Sequence, residues 1–442
     1  MRQRENPVLA CGHCREYDVI NRRTFLQGAP RSLAGLLFGA ALERQPAWMP
    51  RIALADPHVG PRGDTLVCIF LRGGADGLNL IVPHGEEAYY SLRPTLAIAR
   101  PDDARANQRS IDLDGFFGLH PSLAALEPIY QAGDLAMVHA VGSPHGSRSH
   151  FEAMAFMERG LVDTGGDYSG WLARHLLTLD TGNESPLRAV AINDMLPLSL
   201  AGTDDAVAVP SIEGYKLSLE VDPFNDPAGA LASMYQQHGG LLAAPARQTL
   251  SAIEILQSLG ESYKPRGRAY PEGEFGMGMQ AISRLIRADV GVEVACIDLG
   301  GWDTHALQGA GEGHMPVLMA ELAEGLAAFY EDTVDRASEI SVVVMSEFGR
   351  RAKENAARGT DHGYGSALLL MGGGISGGHV YGRWPGLDGD QLAGPGDLDI
   401  TTDYRDILAE IVVKRLNNPR LEDVFPGYTP GVLGVAAPRS AL

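Results

Sequence analysis

An acid and an imidazole stand two residues apart in LGGWDTH, as Asp303 and His305, directly after the apolar run 292–297. In an extended segment, residues i and i+2 project to the same side, so this pair can share one cation. The residues alone leave a plainer reading open, in which Asp303 caps a helix that follows. Four further segments collect comparable groups. RGGADGLN carries Arg72, Asp76 and Asn79, and GSPHGSRSHFEAM carries His145, Ser147, Arg148, Ser149 and His150. SEFGR carries Glu347 and Arg350, and GTDHG carries Asp361 and His362. Hard carboxylate oxygens mixed with borderline imidazole nitrogens bind zinc, manganese or iron, so the chemistry these residue types suit is that of a divalent-cation site.

Ser149 suggests a second kind of chemistry. It precedes a helical pattern and falls at or near the N-cap, where unpaired backbone N–H groups favour an anion or an activated alkoxide. Arg148 beside it can hold a phosphate or sulfate through two parallel hydrogen bonds. Ser149 and Glu152 also have the S-x-x-E spacing of an ordinary capping box, and the two readings stay open at this point. The glycine-rich stretches GGADGLN and GGGISGG lack the spacing of nucleotide phosphate loops. GDYSG is not a nucleophile elbow, because Ser169 is not its central residue.

The elements that must position these groups alternate along the chain. Apolar runs at 65–71, 135–141, 188–193, 293–299, 341–346 and 366–371 read as buried strands. Helical patterns fit 121–132, 149–159, 171–179, 227–260, 275–289, 314–334 and 403–416. That alternation predicts an α/β domain, with a central, mostly parallel sheet and helices on both faces. In such sheets ligands bind beyond the carboxyl ends of the strands, and most of the polar segments follow predicted strands directly. The stretch around 195–290 is mostly helical in pattern and reads as an insertion. The Gly/Pro-rich segment 382–397 reads as a surface loop.

The first 55 residues differ from the rest. NRRTFLQG places paired arginines, Arg22 and Arg23, ahead of the short apolar stretch SLAGLLFGAAL, and ALA at 53–55 follows. Basic, hydrophobic and small-residue parts in this order are those of a signal peptide, and Arg22-Arg23 followed by Phe25 and Leu26 resembles a twin-arginine signal. The apolar stretch is well short of the roughly 20 residues that cross a bilayer, so no permanent membrane anchor is expected. The chain carries a formal net charge of −19 from 36 Lys and Arg against 55 Asp and Glu. Residues 1–55 hold eight of those bases and four of those acids, so the mature chain carries −23. At that charge nucleic acid is a poor partner. Cys11 and Cys14 form a CxxC within the signal-like segment with no second pair to complete a zinc site. Cys68 and Cys296 each fall within a predicted strand; the reading is open between a cross-strand link and two small core residues.

Taken together, RGGADGLN, SRSHFEAM, GGWDTH, SEFGR and GTDHG, in this order behind a twin-arginine-like segment, resemble the DUF1501 family of bacterial proteins of unknown function. That family is similar in turn to the alkaline phosphatase superfamily, which includes sulfatases and cofactor-independent phosphoglycerate mutases. The resemblance implies an alkaline-phosphatase-like domain over residues 56–442. It places a metal-binding Asp after the first strand, Asp76, and a nucleophile at a helix start, Ser149, with Arg148 and His150 beside it. It makes Asp303, His305, Glu347, Asp361 and His362 further metal ligands, for one or two divalent ions such as zinc, manganese or calcium. Glu347-Phe348 departs from the pattern, standing where the superfamily has an Asp-His pair.

The function so implied is a periplasmic or secreted metal-dependent hydrolase or transferase acting on a phosphate, sulfate or related ester, small or polymeric, exported by the twin-arginine translocase. The alternative is a non-catalytic extracytoplasmic protein on the same fold that binds a metal or assists assembly, since a fold does not dictate an activity.

Overall fold

Along Thr65–Leu71 every residue is buried, yet successive side chains enter different cores. Val67, Ile69 and Leu71 join one hydrophobic cluster, whereas Leu66, Cys68 and Phe70 join another. The two-residue period of a strand does this wherever both faces of a sheet are covered. The computed structural model describes residues 63–161, 168–216, 233–234, 243–259 and 263–439. The signal-like segment with Arg22 and Arg23, Cys11 and Cys14, and Gly166 and Asp167 of GDYSG lie outside the described residues.

Among the described residues, nine strands form the central sheet: β1 (Thr65–Leu71), β2 (Leu135–Gly142), β3 (Ala189–Ile192), β4 (Ala206–Ala208), β5 (Val294–Leu299), β6 (Ile340–Ser346), β7 (Ser366–Met371), β8 (Val380–Tyr381) and β9 (Thr402–Asp403). Their order is β8, β2, β7, β6, β1, β5, β3, β4, with β9 also paired to β2. Pairing is parallel throughout except along β7, which runs antiparallel to both β2 and β6.

Among the described residues, six longer helices surround the sheet: α1 (His150–Arg159), α2 (Trp171–Thr178), α3 (Ala243–Ser258), α4 (Glu274–Arg287), α5 (His314–Asp332) and α6 (Tyr404–Lys414). α4 and α5 cover one face through Met279, Ile282, Met319 and Leu322. α2 and α6 cover the other through Trp171, Leu172, Ile407 and Ile411. Within 195–290, where the sequence suggests a helical insertion, β4 extends the sheet and α4 packs on it as the crossover into β5. Cys68 and Cys296 are partners in the register of β1 and β5, and both are buried and free. Among the described residues no helix is long and apolar enough to cross a membrane.

This topology brings the polar segments to one edge. Leu71, Leu299 and Ser346 end β1, β5 and β6 in register, so the loops beginning at Arg72, Gly300 and Glu347 emerge side by side. The loop after β2 leads into α1. Because β7 is antiparallel, its first residue lies at this same edge, and residues 361–362 just before it arrive with the others.

Candidate metal centre

His150 opens α1, Asp303 and His305 follow β5, and His362 precedes β7. Their side chains converge on one carboxylate oxygen. Asp303 Oδ1 lies 3.1 Å from His305 Nε2, 3.1 Å from His362 Nε2 and 3.6 Å from His150 Nε2. His305 Nε2 and His362 Nε2 are 2.9 Å apart. Ligands about 2.0 Å from a tetrahedral ion stand about 3.3 Å from one another, and these four separations bracket that value; the ligand atoms of His150, Asp303 and His362 all lie within 4.8 Å of one another, a group that does not include His305.

Each imidazole has its other nitrogen occupied. His150 Nδ1 is 2.8 Å from Glu347 Oε1, His305 Nδ1 is 3.2 Å from Asp361 Oδ1, and His362 Nδ1 is 2.9 Å from the carbonyl oxygen of Arg148. An acceptor at Nδ1 holds the ring proton there and leaves Nε2 with its lone pair, the form in which a neutral imidazole binds a metal. His305 Nε2 and His362 Nε2 stand at hydrogen-bond distance, 2.9 Å, and in the tautomer with both protons on Nδ1 both lone pairs are open to a cation. His150 Nε2 is buried and has no hydrogen-bond partner among the described residues. Leaving a buried polar atom unpaired costs about 1–3 kcal/mol, a cost that coordination removes.

The surrounding charges fit the same occupant. Burial pushes Asp303 up, but the buried Arg350 guanidinium at 2.7 Å and His362 outweigh it and hold the carboxyl at about 2. Burial likewise opposes ionisation of Glu347, and His150 together with the backbone N–H groups of Glu347, Gly73 and Gly74 keeps it below the ordinary value. Asn355 and His305 lower Asp361. The bond to Glu347 raises His150, while burial lowers His362. Asp303, Glu347 and Asp361 surround the three imidazoles, with Arg350 bonded to Asp303 and the charge of Arg351 felt at Asp361.

The scaffold is correspondingly tight. Arg350 donates to the carbonyls of Gly73, Gly74, Trp302 and Thr360, clasping three loops at once. The Phe348 ring lies 4.9 Å from that of His150 and 4.8 Å from that of His362. Gly73, at φ 121°, sits where a Cβ would meet Asp303 N at 2.6 Å, and its own N–H donates to Glu347 Oε1 at 2.8 Å.

The structure thus gathers Asp303, His305 and His362 and adds His150, which the sequence placed with the nucleophile. Glu347 and Asp361, expected as ligands, stand one layer out, holding imidazoles. Asp76, also expected as a ligand, is buried, with its oxygens taken by Arg93 at 2.5 and 2.9 Å and by Gln308 at 2.7 Å, and is not among His150, Asp303 and His362, whose ligand atoms cluster. Ser149 is the exposed N-cap of α1 and makes no capping bond, so the S-x-x-E box does not form; Glu152 accepts from Ser147 Oγ at 2.5 Å instead. Arg148 pairs with Asp397. Trp302 is a buried packing residue. Gln308 and Asn355, whose neutral amides carry little sequence signal, and Asp397, the last residue of the Gly/Pro-rich segment, also bond to residues of the site and were not singled out from the sequence.

The family model described as "Protein of unknown function (DUF1501)" matches residues 64–420. No curated protein is significantly similar to the chain. Among solved structures, the chain is similar to the PH0037 protein from Pyrococcus horikoshii, with 12% identity and a TM-score of 0.25 over 71% of this chain and 87% of that one. It is also similar to the phosphonate monoester hydrolase of Agrobacterium radiobacter, with 10% identity and a TM-score of 0.30 over 84% of this chain and 79% of that one. Likenesses this distant carry no argument about the site.

Proposed function

The chain belongs to the DUF1501 family, and we propose that it is a metal-dependent hydrolase or transferase for phosphate, sulfate or related esters, with a single divalent ion held by His150, His305, His362 and Asp303. The observation that carries this reading is the convergence of three Nε2 atoms on Asp303 Oδ1 while every Nδ1 is held from behind. Three imidazoles and one carboxylate suit zinc, manganese or iron. Calcium, which takes six to eight oxygens, is poorly served.

When bound, such an ion supplies Lewis-acid stabilisation of charge developing on an ester oxygen and activates an oxygen nucleophile. The protein's own residues do the rest. Asp303 and His305 are each nearly half exposed, which leaves the centre open to substrate. Arg148 adjoins the centre, its carbonyl touching His362 and its guanidinium paired with Asp397, and in this reading that partly exposed guanidinium holds an anionic oxygen of the substrate. Ser149, next to His150 and free of a capping bond, is the hydroxyl available for in-line attack; Ser147 is engaged by Glu152. The arginine pair and apolar stretch at the N-terminus support action outside the cytoplasm, after twin-arginine export.

Metal analysis of the purified protein, combined with a panel of chromogenic phosphate, sulfate and phosphonate esters, tests this. About one equivalent of a transition metal and turnover that chelation abolishes are expected, with loss of turnover in Ser149→Ala. A chain that takes up no transition metal overturns the centre. Metal uptake without turnover of any ester overturns the enzyme and leaves a binding protein.

A further inference from the structure

We propose that Gln308 is a positioning residue of this centre: its buried side-chain amide couples the two ligand-bearing loops to an ion pair beneath them. The inference rests on the reading that His150, His305, His362 and Asp303 hold an ion. Gln308 Oε1 accepts from Thr304 Oγ1 at 2.9 Å and from Thr360 Oγ1 at 2.6 Å, and Nε2 donates to Asp76 Oδ2 at 2.7 Å. Thr304 lies between Asp303 and His305, and Thr360 precedes Asp361 and His362. The amide therefore sets the separation of the loops whose imidazoles meet 2.9 Å apart.

Below it, Asp76 is held by Arg93, which also donates to Asn79 Oδ1 and to the carbonyls of Arg351 and Ala352. Gln308, Thr304, Thr360, Asp76 and Arg93 are all buried, so every bond in this chain is shielded from water. A carbonyl oxygen with two lone pairs, joined to an N–H donor, is what the position requires. Glutamate would set a second carboxylate against Asp76, and leucine would strand two hydroxyls and a carboxylate oxygen.

The backbone is bent to deliver this side chain. Leu307 has φ 48°, a conformation that a non-glycine residue keeps only where its surroundings impose it, and its own side chain is exposed. The turn sends Gln308 inward, while Leu307 N and Gln308 N bond to the carbonyls of Ala357 and Arg358.

The test measures zinc affinity of the full chain by competition with a chromophoric chelator, and the visible absorption of the cobalt-loaded protein. The variants are Gln308→Leu, Thr304→Val, Thr360→Val and their combinations, with thermal unfolding of each metal-free form. Gln308→Leu is expected to weaken zinc by about 10–100-fold and to shift the cobalt bands in a protein that still unfolds cooperatively. The two threonine variants are expected to be non-additive with each other and to add little to Gln308→Leu. Unchanged affinity and cobalt spectrum in Gln308→Leu would overturn the role. Should Gln308→Leu fail to fold, the threonine pair decides: coupling supports the role and strict additivity overturns it. A wild-type chain that binds neither zinc nor cobalt overturns the metal centre as well, whereas normal wild-type binding with indifferent variants overturns Gln308 alone.

Discussion

Whether a carboxylate at this centre ligates or merely orients is decided by which atom it faces. Asp303 Oδ1 faces Nε2 atoms, whereas Glu347 and Asp361 face Nδ1 atoms. Asp303→Asn should therefore remove a ligand and lower zinc affinity by more than about 100-fold, while Glu347→Gln keeps an acceptor for His150 and costs about 10–100-fold. Calorimetric titration of both variants would measure this, and equal losses would contradict the assignment of layers. Asp76→Asn should behave differently, because it leaves the wholly buried Arg93 without its carboxylate. A stability loss of about 3–5 kcal/mol in denaturant is expected, with the zinc stoichiometry unchanged. Loss of the bound ion in an otherwise stable Asp76→Asn protein would restore Asp76 to the ligand set.

At the scale of elements, the centre depends on loops approaching more closely than side chains allow. Gly73 has a left-handed φ and abuts Asp303 N, so Gly73→Ala should cost about 1–3 kcal/mol in backbone strain alone, with a further steric cost, seen as a lowered melting temperature and weakened zinc binding. A fully stable Gly73→Ala protein would mean that the β1 loop can move away without consequence. Much at this scale was legible in the sequence. The six apolar runs are strands, and their ends agree within a residue or two because a buried strand is an unbroken run bounded by polar or glycine residues. The strands at 206–208, 380–381 and 402–403 were not anticipated, since two or three residues carry no periodicity. The five polar segments do meet at one edge, but composition could not sort them into layers. Which nitrogen of a histidine turns inward depends on partners far away in the chain, such as Glu347 for His150 and Arg148 for His362. Nor could it show why GTDHG, which precedes its strand, joins segments that follow theirs; the reversal of β7 supplies that.

Across the whole molecule, three histidines outside the centre should make the fold acid-sensitive. Burial depresses His120, His139 and His175 from the ordinary value of 6.5 to about 4. His120 and His139 use ring nitrogens on backbone groups, and His175 meets Asn418. Each folded pKa lies below its unfolded value, so the folded state prefers the neutral ring. The stability this contributes is complete above about pH 6.5 and is lost as pH falls from there through 4. Within that window the unfolded chain binds up to three more protons, worth about 1.4 kcal/mol per pH unit for each histidine. His150, raised by Glu347, works in the opposite sense and offsets part of the loss. Asp303, held at about 2, belongs to a lower window. Urea unfolding with chelator present should therefore show stability falling from about pH 7 to about pH 5, and His175→Gln should flatten the slope by about 1.4 kcal/mol per pH unit. A slope unchanged in His175→Gln would mean that this ring takes up its proton without disturbing the fold.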